Sequence, residues 1–341
     1  MRFFESQREA RAQTLRLLLL FALMLVFLVL AVNAALALAW RLMIGGAWIG
    51  YPRYFFEVNT AVVLLFVLGG WWLESSALRH GGGVALAQRL GARPVRADRF
   101  DEQRYANVVQ ELAIAAGMRP PTAMVLPRDA GLNALATGWD EHDAVVAVTQ
   151  GALDHLTREE LQGMVAHELS HIREGDTRLN MRLAGMVFGL ELLYRLGEQL
   201  MAPDARGRRH AGALFGLALR AVGWLGWLAG HALQAAVARQ REYLADARAV
   251  QWTRQRDGLG RVLRKVLGLH RAGTPDASDG LQMPQVQHLL LVSAASSAVG
   301  RWFDAHPPLE RRIERLYGGK MPPLSLDDGR EEPDGRPGGA R

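Results

Sequence analysis

From Leu17 to Trp40 the chain runs for twenty-four residues without a charge. A helix of that length, at about 1.5 Å per residue, crosses a hydrocarbon core of about 30 Å, and in lipid only a helix or a closed barrel satisfies its own backbone. The Ala-rich residues after the apolar run would fit a cleaved signal peptide, but the length of the run argues against cleavage. A second uncharged run, Val58 to Leu73, is shorter and ends in Trp71 and Trp72, which suit the aromatic belt of a bilayer. Arg2, Arg8, Arg11 and Arg16 precede the first run, Arg41 and Arg53 lie between the two, and Arg79, Arg89 and Arg93 follow the second. The positive-inside rule then places both outer flanks in the cytoplasm, so the chain beyond residue 75 starts on that side.

Composition narrows the chemistry. Half of the residues are hydrophobic, as expected for a chain that partners a lipid bilayer. Cysteine is absent, which excludes disulfides, a thiolate metal site and a cysteine nucleophile. Any metal ligands must be histidine or carboxylate. The formal charge of +6 comes almost wholly from arginine, since Lys265 and Lys320 are the only lysines. These arginines are dispersed, with no basic stripe and no interleaved aromatics, so nucleic acid is not an expected partner. An Arg, Ala and Gly bias accompanies GC-rich genomes and points to a bacterial source, hence to an inner (cytoplasmic) membrane.

Residues 167 to 171 read His-Glu-Leu-Ser-His inside a segment, Leu161 to Ile172, whose apolar residues suit a packed helix. Thr157 and Glu160 offer a capping box before it, and Gly175 and Asp176 a stop after it. Side chains four apart lie on one helical face, so His167 and His171 can present two imidazoles to one ion. Glu168, turned about 100° around the helix, cannot be a third ligand there. It falls beside the ion, where a carboxylate can take a proton from an activated water. Two surface histidines on a helix are the plain alternative, which the capped helical context disfavours.

Around this motif the sequence predicts a helix from Glu102 to Gly117, a short strand at Ala123 to Leu126, and two strands, Asn133 to Gly138 and Ala144 to Thr149, joined by the polar turn Trp139 to Asp143. Residues 75–99, with Gly81, Gly82 and Gly83, read as a linker. Met181 to Met201 and Ala211 to Leu233 are largely apolar and flank a basic loop, Asp204 to His210. A membrane hairpin is the first reading, and a pair of long helices packed on the catalytic domain is the second. Glu191, Arg195 and Glu198 form one polar stripe that pairs internally or lines a bundle. Val237 to Val250 is helical, Ala272 to Gly280 flexible, Arg301 to Leu316 closes the folded region, and the acidic Pro- and Gly-containing tail from Gly318 is disordered.

A catalytic zinc takes three protein ligands as a rule, leaving one position open. Glu242, on the helix that carries Arg241-Glu242-Tyr243-Leu244-Ala245-Asp246, is the best candidate for the third. Asp246, one turn on, could hold a ligand histidine by its other ring N–H. On spacing alone, a solvated charge pair beside Arg241 reads almost as well. His80, His142, His155, His210, His231, His270 and His288 have no partner pattern and are expected to be surface or core residues.

Taken in order, the paired N-terminal spans, Asn133 to Gly138, His167 to His171, Glu242 to Asp246 and His306-Pro307-Pro308-Leu309 closely resemble the HtpX-like membrane zinc endopeptidases, with the CAAX prenyl proteases as more distant relatives. The resemblance implies a gluzincin-type metalloprotease domain with its active site facing the cytoplasm, one Zn²⁺ per chain, and Glu242 as the third ligand. It implies further that Asn133, Ala134, Leu135, Ala136, Thr137 and Gly138 form the edge strand along which an extended polypeptide substrate lies. His306 and Arg312 match the region near the scissile carbonyl. Their plain alternative is a helix-capping His-Pro-Pro and a solvated arginine. Leu135 departs from the aromatic residue often found there.

The expected fold is therefore mainly α, a membrane protein with N-terminal transmembrane helices and a gluzincin-like metalloprotease domain that has a small β-sheet and an inserted hydrophobic helical hairpin. Its expected parts are a membrane region (1–74), a linker (75–99), the protease domain (100–317) with the hairpin at 181–233, and a disordered tail (318–341). The expected activity is zinc-dependent hydrolysis of peptide bonds in membrane-associated or misfolded proteins. The alternatives are a non-enzymatic zinc-stabilised membrane scaffold and a specialised CAAX-type processing protease.

Overall fold

Both uncharged runs lie in long helices, and the order along the chain is α1 (Phe3–Met43), α2 (Phe55–Arg89), β1 (Arg93–Pro94), α3 (Phe100–Ala116), β2 (Thr122–Leu126), β3 (Ala134–Thr137), β4 (Val145–Thr149), α4 (Gln150–His155), α5 (Arg158–Arg173), α6 (Asp176–Met201), α7 (Ala213–Thr253), α8 (Asp257–Arg271) and α9 (Leu309–Tyr317). The computed structural model describes residues 3–44, 49–203, 212–272 and 306–328. Among these, three helical segments are long and apolar enough to cross a membrane by length and composition: Leu19–Met43, Phe55–Ala77 and Ala213–Thr253. The protein is thus mainly helical, with three candidate spans and one small mixed sheet. Contacts divide it into two units, residues 1–80 with 181–234, and residues 81–180 with 235–341.

In the first unit the hairpin groups with the N-terminal helices. Glycines explain how. A Cβ on Gly189 would lie 2.2 Å from the Val67 carbonyl oxygen, and one on Gly197 would lie 2.4 Å from the Arg220 nitrogen, so α6 lies backbone to backbone against α2 on one side and α7 on the other. The successive pairs Gly197 with Gly216, Tyr194 with Gly223 and Leu190 with Gly230 run in opposite directions along α6 and α7, which makes them an antiparallel hairpin. The polar stripe of α6 pairs internally: Arg195 reaches Glu191 at 2.7 Å, the Tyr194 hydroxyl donates to Glu198 at 2.8 Å, and Arg220 of α7 approaches Glu198 at 3.9 Å. Asn33 Nδ2 donates to Thr60 Oγ1 at 3.0 Å and ties α1 to α2.

The second unit is built on a sheet of order β1-β2-β4-β3. β4 lies parallel to β2 and antiparallel to β3, with Ala134 opposite Val148 and Thr137 opposite Val145. All five residues of β4 are buried. One face packs on α3 and α5 through Val146 and Val148, while Val145 and Ala147 face Ala87, Met124 and Leu135. A strand covered on both faces reads as an unbroken apolar run, and Val145 to Val148 does. β3 is an edge strand, as expected.

α5 forms as its sequence predicts. Thr157 Oγ1 accepts the Glu160 N–H at 3.3 Å, and Glu160 Oε2 accepts the Thr157 N–H at 2.9 Å, a reciprocal cap that contributes about 1 kcal/mol. The same Glu160 oxygen accepts from the fully buried Lys265 of α8 at 2.9 Å. Gly163 lets α8 approach, since a Cβ there would stand 2.2 Å from the Leu259 nitrogen.

Three expectations are corrected. The 75–99 linker is helical as far as Arg89. Only Gly82, at φ 65°, leaves helical geometry, and Gly83 packs against the β3–β4 turn, where the Asp143 carboxylate accepts its N–H at 3.2 Å. α7 is one helix rather than two, because neither Gly nor Pro interrupts Leu233 to Val237. The tail is held as far as Asp328: Leu324 N–H donates to the Arg264 carbonyl at 3.0 Å, Arg264 Nε donates to the Pro322 carbonyl at 2.8 Å, and Met321 and Leu326 pack on the core. The expected basic loop, all but the first residue of the flexible stretch, and the tail beyond 328 lie outside the described residues.

Candidate metal centre

α5 carries His167 and His171 on one face, and α7 brings Glu242 to them. The two Nε2 atoms are 3.2 Å apart, and each lies 3.4 Å from a Glu242 oxygen. Among the described residues this is the one group of three His, Asp or Glu side chains that could hold an ion, with donor atoms within 4.8 Å of one another. None of His80, His142, His155, His231 or His270 joins it; His210 and His288 lie outside the described residues.

The far ring nitrogens each face an aspartate. His171 Nδ1 lies 2.9 Å from Asp176 Oδ2. His167 Nδ1 lies 3.1 Å from Asp246 Oδ1, within donor reach though off the ideal direction. With the ring protons at Nδ1, both Nε2 atoms present lone pairs to each other and to a carboxylate. Electron-rich atoms converge there in a buried space, an arrangement that calls for a cation among them. Glu242 Oε2 is buried without a hydrogen bond, although Arg312 Nη1 and His306 Nδ1 each stand 3.2 Å away. The donor set, two imidazoles and one carboxylate, fits a divalent ion such as zinc.

The same convergence attracts protons. Burial opposes a charged imidazole, yet Asp176 and Glu242 outweigh it and hold His171 well above its ordinary pKa. Against the same burial, Asp246 and Glu242 raise His167. For Glu168, burial raises the carboxyl above its ordinary range, partly countered by His167 and His171.

A cleft opens beside this cluster. Its walls are Ala136 of β3, Glu168 and His171 of α5, Asp176, Thr177 and Asn180 at the start of α6, Ala238, Arg241 and Glu242 of α7, and His306. Thr149 N–H donates to the Asn133 carbonyl at 3.1 Å, so Asn133 faces β4. By antiparallel alternation Leu135 and Thr137 face β4 too, and the backbone groups of Ala134 and Ala136 turn to the free edge. Ala134 N–H meets Asn133 Oδ1 at 3.0 Å. Leu135 is fully buried on the sheet face that packs on Ala87. Gly138, at φ 130°, ends the strand against Ala144 and Asp143.

His306 lies on the cleft wall. Arg312 does not face it. Expected near the substrate carbonyl, it is fully buried behind the cluster, with Nε and Nη2 forked onto Asp246 at 2.9 and 2.7 Å and Nη1 beside Glu242. Two carboxylates engage its donors. Two residues were missed by sequence reasoning. Asp176 was read only as a helix stop, although a carboxylate five residues past the second histidine was the available signal. Arg241 was read only as a neighbour of Glu242, yet it forms an ion pair with Asp176.

A model of peptidase family M48 matches residues 100–319. A "Protease HtpX homolog" of Ligilactobacillus salivarius is 32% identical over 283 residues, covering 80% of this chain and 90% of its own. Its namesake in Dictyoglomus thermophilum is 34% identical over 269 residues, 77% of this chain and 83% of the other. That of Dictyoglomus turgidum is 37% identical over 231 residues, 65% of this chain and 71% of the other. Among solved structures, the crystal structure of S. mikatae Ste24p matches with 14% identity and a TM-score of 0.37, over 88% of this chain and 66% of that one. The sequence matches, and not this distant likeness, carry the family assignment.

Proposed function

The chain belongs to peptidase family M48, and on that premise we propose that His167, His171 and Glu242 hold one zinc ion at which peptide bonds of membrane-associated or misfolded polypeptides are hydrolysed from the cytoplasmic side. The protein is an integral membrane metalloprotease by family and by its candidate spans; the metal, the substrates and the roles below are our reading. One observation carries it. Two imidazoles and a carboxylate converge in burial, with a further buried carboxylate, Glu168, on the wall of a cleft beside an edge strand.

Bound by these donors, zinc would supply Lewis-acid polarisation of the scissile carbonyl and activation of water. The chain's own groups do the rest. An extended peptide pairs with the outward carbonyl of Ala134 and the outward backbone groups of Ala136, which places its carbonyl by main-chain contacts and leaves side-chain selectivity loose. Glu168, its pKa raised by burial, accepts the proton of the attacking water and returns it to the leaving amine nitrogen. His306 donates an N–H toward the developing oxyanion. Asp246 and Asp176 hold the ligand rings in the tautomer that presents Nε2. The arginine-rich flanks of the first two apolar runs support a cytoplasmic catalytic face at the inner membrane of a bacterium.

The test is zinc content and casein cleavage of the detergent-purified protein and of its Glu168→Gln variant. The variant should retain one zinc and lose cleavage by about 10²–10⁴-fold. Full activity in the variant contradicts the role of Glu168, and bound zinc with no cleavage by either form favours the scaffold alternative.

A further inference from the structure

Each ligand histidine is backed by an aspartate, and each aspartate by an arginine. Behind His167 stand Asp246 and then Arg312. Behind His171 stand Asp176 and then Arg241, whose Nη1 contacts Asp176 Oδ1. Both aspartates are buried, but the ends of the two chains differ: 14% of the His171 side chain and 11% of the Arg241 side chain are exposed at the cleft against none of His167 or Arg312. From this we infer that Arg241 is a positioning residue for the hydrolytic reaction: through Asp176 it fixes the orientation of His171, as Arg312 does for His167 through Asp246, and it does so from the wall of the cleft.

The chemistry supports a role beyond holding two helices together. Asp176 is the first residue of α6 and Arg241 lies on α7, so their ion pair spans two helices, and the second oxygen of that same carboxylate receives the His171 ring. A carboxylate with one oxygen anchored by a guanidinium can turn less freely, and its other oxygen keeps the imidazole aligned. Without Arg241, Asp176 remains but loses its anchor. The expected outcome is a ring held less firmly, weaker metal binding and slower turnover, with substrate affinity little changed because Arg241 acts on the ring through Asp176.

The inference rests on the proposed zinc site, so the test separates the two. Zinc affinity is measured by chelator competition in the full-length, detergent-solubilised protein, together with kcat and KM for casein, for wild type, Arg241→Gln, Asp176→Asn and the double variant. Each single variant should bind zinc about tenfold more weakly. The double variant should bind no more weakly than Asp176→Asn alone, because both act on one chain of contacts. Activity should fall in kcat, with KM unchanged. Wild-type zinc affinity in Arg241→Gln overturns the inference, and so does a change confined to KM or a loss of stability that is equal in the zinc-free and zinc-bound forms. Should Arg241→Gln fail to fold, Asp176→Asn decides alone: it must weaken zinc binding, and unchanged affinity overturns the inference. A wild-type protein that binds no zinc contradicts instead the site on which the inference is built.

Discussion

The two sides of the candidate metal centre contain the same groups in different surroundings. On one side His167 and Arg312 are fully buried around Asp246, and on the other His171 and Arg241 reach the cleft on either side of a buried Asp176. Sealed charges interact through a medium of low polarisability, so removing one leaves its partners with little else to pair with. Charges at a cleft have water and salt as alternatives. The account therefore makes the buried side the one that sets stability and metal affinity. The cleft side is the weaker and more adjustable.

Breaking the buried side at its base should produce the largest effect. Arg312→Met keeps most of the volume but leaves Asp246 and Glu242 without their guanidinium, and should cost about 3–5 kcal/mol in chemical unfolding of the zinc-free protein. A loss below 1 kcal/mol would mean that the buried pairs are solvated after all. Next comes Asp246→Asn, for which chelator competition should show zinc affinity lowered by about 100-fold, toward the upper end of what such ring-holding carboxylates contribute. Asp176→Asn should sit near the lower end, at about tenfold. Equal losses in the two would erase the distinction between the sides. The smallest effect sharpens it: raising salt from 0.1 to 1 M shortens the screening length from about 10 to about 3 Å. The zinc-affinity penalty of Arg241→Gln, whose guanidinium reaches the cleft, should shrink severalfold in a salt titration, while that of Asp246→Asn stays constant.

The same contrast marks what was legible in the sequence. Asp246 follows Glu242 by one turn of one helix, and His171 follows His167 likewise, so helical periodicity alone places each pair on a common face. Asp176 is close to His171 only because Gly175, at φ 75°, turns the chain between α5 and α6, and Arg241 reaches Asp176 only through the packing of α7. No local pattern encodes such contacts. Arg312 could be found by resemblance but not placed, since burial depends on where α9 packs. Elements behaved similarly. The capping box fixed the start of α5, and the apolar run of β4 marked a strand covered on both faces, because both signals are local. Gly81 to Gly83 looked like linker residues, and so hid a helical turn in which Gly83 serves close packing against Asp143. β1, two residues long and including Pro94, carries no periodicity to detect. The tail from Gly318 to Asp328 has the composition of a disordered segment, yet one backbone bond to Arg264, the Arg261 and Arg264 side chains on tail carbonyls, and two apolar anchors hold it to the core.

The central claim is that two imidazoles, one from each side, and the Glu242 carboxylate hold one metal ion. Zinc K-edge absorption spectra of the zinc-loaded Glu168→Gln protein, alone and combined with Glu242→Ala or His171→Ala, test it most directly. The expected shell is one zinc with two imidazole nitrogens at about 2.0–2.1 Å and the remaining ligands oxygen. One imidazole fewer is expected with His171→Ala, and weakened binding with Glu242→Ala. A shell with a single imidazole, or a spectrum and affinity unaltered by Glu242→Ala, would contradict it.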